Sequence, residues 1–153
     1  MSAGRIEKEI RLKAPRSRVW RALTDAASFS EWFGVKVTGP FAPGARIRGQ
    51  VAHPGFEHVP FEITIESMEP ERLFSWRWHP HPIDPKLDYS IEPTTLVVFS
   101  LDEVDDGTLL KVVESGFDGI PLFRRGAAYR GNEQGWAIQM QALERYVKPA
   151  QPQ

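Results

Sequence analysis

The most constraining feature of this sequence is one long amphipathic helical pattern at its C-terminal end. The pattern begins after Pro121, whose fixed φ suits a helix start, and runs to about Val147, with Pro149 stopping it. Its stripe advances in steps of four and three residues: Tyr129, Glu133, Trp136, Met140, Leu143 and Val147. Five of these six are apolar, so the predicted helix has one continuous apolar face, interrupted by the carboxylate of Glu133.

The patterns that precede this helix predict a sheet with segregated helices. A strand over residues 5–13 is followed by two short helices, the first begun by Pro15 and the second capped by Asp25 and ended by Gly34. Five further strands are predicted over residues 46–52, 61–68, 73–79, 94–104 and 108–115, with Asp106-Gly107 as the tight turn of the last hairpin. This order predicts an α+β fold with an antiparallel sheet of about six strands.

The chain length and the lack of internal breaks predict one domain. The 153 residues match the usual size of a compact domain, and they contain no internal repeat or linker. Residues 4–148 are therefore expected to form a single domain, with residues 149–153 as a C-terminal tail. The Pro-rich segment 80–93 is predicted to be an irregular loop within it.

Composition excludes several function classes. The net charge of −1 provides no global field for nucleic acid or an anionic membrane, and no run of eighteen apolar residues occurs. Cysteine is absent, which excludes disulfides, zinc–thiolate sites and thiol catalysis. The N-terminus lacks the apolar run of a signal peptide. We therefore expect a soluble cytoplasmic protein with no nucleic-acid or membrane partner.

Aromatic residues and carboxylates share predicted interior faces. Aromatic residues make up 11% of the chain, and Trp76 and Trp78 lie on one face of their strand. Glu114 follows Leu110 and Val112 on one face of the last strand, and a carboxylate buried without partners costs several kcal/mol. If these faces meet the helix, Glu114 and Glu133 line a partly hydrated cavity. The alternatives are a plain aromatic core and a Glu133 that pairs with Arg130 or with an arginine of the loop.

Other catalytic signals are weak, and we expect neither a metal nor a cofactor. The histidines fall in two Pro-containing stretches, His53 to His58 and His79 to His81, without helical metal-ligand spacing. Histidines at a pocket mouth are the simpler interpretation. No serine lies in a nucleophile elbow, and no Gly-rich phosphate loop occurs.

Four segments of the sequence form a recognisable series. The first joins Ala14 to Asp25 with Phe29 to Gly34. The others lie at residues 69–76, 107–117 and 135–147. In this order the four segments resemble the Activator of Hsp90 ATPase homologue family of the START-like (SRPBCC, Bet v 1-like) superfamily. The resemblance covers about residues 5–148.

This resemblance implies the helix-grip fold, a curved antiparallel sheet wrapped around a long C-terminal helix with two short helices closing one end. It also implies a deep, mostly apolar cavity between sheet and helix, near Trp32, Trp76, Phe99, Phe117 and Trp136. Periodicity adds further candidates, and the complete predicted ligand-binding set is Trp32, Phe61, Trp76, Trp78, Val97, Phe99, Glu114, Phe117, Tyr129, Glu133, Trp136 and Met140.

Three functions are compatible with these observations. We expect a binding protein that encloses a small apolar or aromatic molecule, with tryptophans stacking on its rings and with Glu114, Glu133 and Tyr129 orienting a polar end. The first alternative is a cyclase, dehydratase or hydrolase that uses a pocket carboxylate as general base. The second is a protein that acts on a chaperone or another partner in the stress response. Co-chaperones of this type use a separate N-terminal domain, which this chain has no room for, so chaperone interaction is not expected. A homodimer through an edge strand is compatible with the fold.

Overall fold

The computed structural model describes residues 4–149, and the predicted tail beyond residue 149 lies outside the described residues. Seven antiparallel strands form one open sheet. In chain order they are β1 (Arg5–Leu12), β2 (Val35–Val37), β3 (Arg46–Val51), β4 (Pro60–Glu69), β5 (Leu73–Trp78), β6 (Thr95–Val104) and β7 (Gly107–Ser115). Their order across the sheet is β1-β7-β6-β5-β4-β3-β2. Chain neighbours therefore pair throughout, except where β1 joins the sheet beside β7.

Within residues 4–149, three α-helices accompany the sheet. They are α1 (Arg16–Thr24), α2 (Ala26–Phe33) and α3 (Leu122–Val147). The carboxylate of Asp25 accepts a hydrogen bond from the Ser28 backbone N–H and caps α2, while Gly34 ends α2 in the left-handed region at φ 82°. These positions confirm the predicted helix boundaries and the predicted helix-grip arrangement.

The interior face of the sheet alternates as its sequence predicts. On β4 the inward residues are Phe61, Ile63 and Ile65, and β6 and β7 likewise bury every second residue. A bulge interrupts the β4–β5 pairing between Ile65 and Ser67, and bulges of this kind bend a strand and strengthen its twist. The apolar core fills the space between the sheet and α3.

The structure corrects two details of the predicted sheet. The sheet has seven strands, where about six were predicted. The additional strand is β2, whose three residues are too few to show an alternating pattern in the sequence. The last hairpin turns at Asp105-Asp106, since Val104 pairs with Gly107. Gly107 instead begins β7, where a Cβ atom would lie 1.9 Å from the Leu12 carbonyl oxygen. Glycine is needed there for close approach to β1.

The buried stripe of α3 differs from the predicted one in its first half. Trp136, Met140, Leu143 and Val147 are buried as predicted. Toward the N-terminus the buried residues are Arg124 and Ala128, one position before the predicted Tyr129. The hydrophobic pattern selects Tyr129 because the neighbouring Ala128 contributes little apolar signal. The small side chain of Ala128 nevertheless suits close packing.

Candidate functional site

The centre of the candidate site is Glu114, an inward-facing residue of β7 with no exposed surface. Its Oε1 accepts hydrogen bonds from Trp136 Nε1 at 2.8 Å and Asn132 Nδ2 at 2.9 Å. Its Oε2 accepts from Thr95 Oγ1 at 2.6 Å, Trp78 Nε1 at 2.8 Å and the same Asn132 amide at 3.0 Å. Two indoles, one hydroxyl and one amide thus surround a single carboxylate.

Strand register and helix spacing bring these donors together. In the sheet, Glu114 pairs with Val97 of β6, two residues beyond Thr95, and Thr95 pairs with Trp78 of β5. On α3 the other two donors, Asn132 and Trp136, lie four residues apart and therefore on one face of the helix. The site joins three adjacent strands to α3.

Neutral donors alone satisfy this carboxylate. Within residues 4–149, no arginine, lysine or histidine lies within salt-bridge distance of Glu114. Donors meet both oxygens, which is the pattern expected of an ionised carboxylate, an acceptor-only group with about four lone-pair sites. Glu114 is therefore a buried negative charge held without a counter-charge beside it.

A cleft of about 160 Å³ lies over three of these donors and opens to the surface. Its lining consists of Phe33, Trp78, Asn132, Gly135, Trp136 and Gln139. Five of these six also line a larger groove of about 540 Å³ that extends outward past α2 and the loop after β5. The groove adds Trp32, Phe61, Glu62, His53, His79, His81 and Arg145, among others.

Two side-chain amides on α3 have a fixed orientation in this cleft. Asn132 donates to Glu114, and Gln139 Nε2 donates to the Phe33 carbonyl oxygen at 2.8 Å. A carboxylate and a carbonyl only accept, so each amide must turn its NH₂ group toward them. Neither amide oxygen accepts a hydrogen bond from another described residue. The cleft therefore carries two free hydrogen-bond acceptors seven residues apart on one helix.

The loop between β5 and β6 forms one wall of the groove through His81. This residue has a positive φ of 53°. Its ring lies so close to α3 that a Cβ atom on Gly131 would be 2.6 Å from it. Burial lowers the pKa of the His81 imidazole, and the charge of Arg124 lowers it further. The ring is therefore mainly neutral near pH 7.

A buried ion pair anchors the same loop to the start of α3. Arg124 donates from Nη2 and Nε to Glu92 Oε1 at 2.6 and 2.9 Å, and from Nη1 to the Pro80 carbonyl oxygen at 2.9 Å. Its guanidinium carbon also lies 4.6 Å from the ring centroid of Tyr89, within cation–π range. Sequence reasoning did not identify this anchor, because a charged residue in the first turn of a helix is usually exposed.

Most of the predicted binding residues fall into two groups. Trp32, Phe61, Trp78 and Trp136 line the cleft or the groove. The others with apolar side chains are buried in the core: Trp76, Val97, Phe99, Phe117 and Met140. Trp76 and Phe99 pack with ring centroids 5.1 Å apart, and Trp136 lies 5.6 Å from Phe99. Large rings therefore fill the space where a deep cavity was expected, and the open volume lies nearer the surface.

Two predicted site residues point away from this volume. The side chain of Glu133 is 46% exposed and lies 3.9 Å from Lys8 Nζ, so it does not share an interior with Glu114. Tyr129 donates its hydroxyl to the Arg5 carbonyl oxygen at 2.9 Å. The residue that meets Glu114 is Asn132, one position earlier on α3. Its place four residues before Trp136 was the available signal, but the predicted stripe passed through Glu133 and left Asn132 outside it.

Phe33, Gly135 and Gln139 also line the cleft without having been predicted. A glycine inside a long helix was the clearest available sign, since it is unfavourable there unless space is needed. Among the described residues, no group of three or more histidines or carboxylates could hold a metal ion. No helix in this part of the chain is long and apolar enough to span a membrane.

Comparisons with known proteins agree with the fold. No curated protein matches this chain. Protein MLL2253 of Mesorhizobium loti has a solved structure with 25% identity and a TM-score of 0.73, covering 94% of this chain and 96% of its own. Protein CV1439 of Chromobacterium violaceum is 20% identical, with a TM-score of 0.74 over 97% of this chain and 100% of its own.

A third similar structure is that of a dimer. It is the solution structure of the Aha1 dimer of Colwellia psychrerythraea, 17% identical, with a TM-score of 0.72 over 97% of this chain and 98% of its own. At this identity the likeness concerns the fold. The sequence model of one family, described as Activator of Hsp90 ATPase homolog 1-like protein, matches residues 13–148. The match spans most of the chain, which therefore belongs to the Activator of Hsp90 ATPase homolog 1-like family.

Proposed function

We propose that this protein binds a small apolar or aromatic molecule in the cleft between α2, β5 and α3. The observation that carries the proposal is the cleft itself, in which the rings of Phe33, Trp78 and Trp136 surround an open volume beside the fixed amides of Asn132 and Gln139. Mainly apolar lining with a few convergent polar groups is typical of small-molecule sites. The ligand would stack on the aromatic rings and place a polar group against the amides.

The size of the groove supports the same function. Small-molecule pockets commonly enclose about 300–1,000 Å³. The groove that extends outward from the cleft encloses about 540 Å³. The buried rings of Trp76 and Phe99 pack behind the cleft against Trp136, with ring centroids 6.3 and 5.6 Å from it. A preformed site of this kind loses little conformational entropy when its ligand binds.

The hydrogen bonding of Glu114 does not favour the enzyme alternative. A general base must reach the proton it removes and must have a free lone pair. Both oxygens of Glu114 already accept hydrogen bonds from four neighbouring side chains, and the residue has no exposed surface. We therefore assign to Glu114 the role of fixing Trp78, Asn132 and Trp136 in the cleft wall.

A leucine at Gly135 tests this proposal. A Cβ atom at Gly135 would meet no other atom within 4 Å, so the leucine side chain can extend into the cleft that this glycine lines. Gly126→Leu is the matched control, because Gly126 is an exposed residue of α3 outside the cleft, and a Cβ there would meet only the flexible end of Arg130. Both changes remove a glycine from a helix interior, which favours the helix by up to about 1 kcal/mol.

Calorimetric titration with naphthylmethanol measures the effect. The wild-type protein and Gly126→Leu are expected to bind this probe with similar affinity, whereas Gly135→Leu should weaken binding at least tenfold while remaining folded. Equal affinity in all three proteins would place the binding site elsewhere. Failure of the wild-type protein to bind any naphthylmethyl compound would contradict the proposed function.

Three further expectations stay predictions. They are a cytoplasmic location, a role in the stress response and a homodimer. The dimer of the similar Colwellia psychrerythraea protein motivates the last of these. Sedimentation velocity on the purified protein would test it.

A further inference from the structure

We propose that the ligand of this cleft is a protonated amine carried on an aromatic or apolar group. This inference rests on the proposed function and specifies the polar end of its ligand. It follows from three independent features of the cleft, namely a buried negative charge behind its wall, free acceptors on its surface and aromatic rings around it.

The negative charge is that of Glu114. Three of the residues that donate to it, Trp78, Asn132 and Trp136, are also cleft-lining residues, so the carboxylate lies directly behind the wall. No cationic side chain within residues 4–149 is close enough to pair with it. Charges interact more strongly in a protein interior than in water, because the local dielectric constant is lower. All six residues that line the cleft are uncharged, so no lining side chain competes with a bound ammonium group for this carboxylate.

The free acceptors are the amide oxygens of Asn132 and Gln139. Their nitrogen atoms are held by Glu114 and by the Phe33 carbonyl, so neither amide can exchange the positions of its oxygen and its NH₂ group without losing that hydrogen bond. The indole N–H groups of Trp78 and Trp136 are also engaged by Glu114. Each amide therefore keeps its oxygen as a free acceptor for a ligand, and an ammonium group supplies up to three donors.

The aromatic rings favour the same charge. The ring centroids of Phe33, Trp78 and Trp136 lie 5.9 to 6.3 Å from one another, so the three rings form one continuous part of the wall. The donor edges of both indoles face Glu114, which leaves the carbon surface of the rings toward the cleft. Aromatic faces carry the negative part of the ring quadrupole and attract cations.

Charged groups in the outer groove lie beyond this inner cleft. Arg145 is exposed, and Glu62 already pairs with Arg46 at 3.1 Å. His81 is held largely neutral by burial, which lowers its pKa. His53 and His79 complete the titratable groups that line the outer groove. A ligand amine should therefore bind in the inner cleft, away from the positive charge of Arg145 at the rim of the groove.

Three probes with the same ring system separate charge from ring binding. Naphthylmethylamine, naphthylmethanol and naphthylacetate carry a cation, a neutral donor and an anion on one naphthylmethyl group. Calorimetric titration near neutral pH is expected to show the amine binding at least tenfold more tightly than the alcohol, and the acetate binding most weakly. Glu114→Gln should reduce the preference for the amine over the alcohol to less than threefold, since it removes the charge at nearly constant shape.

A second variant keeps the test independent of the folding of Glu114→Gln. Gln139→Met removes one free acceptor and leaves the contacts of Glu114 in place, so it should weaken the amine severalfold more than the acetate. If the alcohol binds wild-type protein as tightly as the amine does, or if the acetate binds best, this inference is overturned while the proposed function stands. If none of the three probes binds, the proposed function fails and this inference fails with it.

Discussion

Two buried tryptophans provide a direct measure of how much the Glu114 hydrogen bonds stabilise the fold. Trp136 is 2% exposed and donates its indole N–H to Glu114 at 2.8 Å. Trp76 is fully buried as well, yet its Nε1 has no hydrogen-bond partner among the described residues. Replacing each by phenylalanine removes a similar part of the ring from the same aromatic core. The two changes therefore differ mainly in the fate of one N–H group.

The expected difference follows from the cost of hydrogen bonds to charge and of unsatisfied donors. Trp136→Phe removes a hydrogen bond to a charged group, which contributes about 1.5–3 kcal/mol, and leaves a buried carboxylate with one donor fewer. Trp76→Phe instead removes a buried donor whose missing partner costs about 1–3 kcal/mol. The packing loss cancels in the comparison. At the lower ends of these ranges, Trp136→Phe should be more destabilising than Trp76→Phe by about 2.5 kcal/mol.

Urea denaturation of the two variants and the wild-type protein measures this difference. Thermal unfolding provides a second measurement. In a domain of this size, each kcal/mol of unfolding free energy shifts the melting temperature by about 2–4 °C, so the melting temperatures of the two variants should differ by about 5–10 °C. The denaturant slope must stay equal among the three proteins for the free energies of unfolding to be comparable. Equal destabilisation, or a larger loss in Trp76→Phe, would refute the view that donors to Glu114 hold the site together.

Two further predictions concern the loop that forms the groove wall. Arg124→Met leaves the buried carboxylate of Glu92 without its cation and should lower the free energy of unfolding by about 3–5 kcal/mol. The control is Arg72→Met, which breaks an exposed pair with Glu69 and should lower it by less than about 1 kcal/mol. Similar losses in the two variants, measured by urea denaturation, would contradict this prediction. Because burial lowers the pKa of His81 below the ordinary value of 6.5, the unfolded chain binds the proton more readily, and His81 makes the fold less stable as the pH falls through that value. His81→Gln should therefore lose less stability than the wild-type protein between about pH 8 and about pH 5. An identical pH dependence in both would argue against a lowered pKa of the half-buried His81 ring.

Local sequence signals were sufficient for the elements of this fold. Alternation predicts β4 to β7, the cap residue Asp25 and the left-handed Gly34 bound α2, and Pro121 with Pro149 bound α3. Each signal acts through the residue's own backbone preference or through neighbours in the same element. The order of these elements, together with four family segments, predicted the helix-grip arrangement.

Local signals failed where a contact joins residues far apart in the chain. The position of β2 depends on its pairing with β3, since three residues alone carry no period. The choice of Asn132 over Glu133 as the neighbour of Glu114 depends on how α3 is rotated against the sheet, and one residue of a helix turns a side chain by about 100°. A periodic pattern tolerates such a shift, whereas a binding site does not.

The sequence by itself determined that a carboxylate, Glu114, would occupy an inward position of β7, because strand alternation is a local property. Only the tertiary structure decided what surrounds it, since its four donor residues come from β5, β6 and α3, up to 36 positions away. It also decided that the aromatic rings would fill the deep interior and leave an open cleft nearer the surface. Packing depends on the shapes of many side chains at once, and no single segment of the chain contains that information.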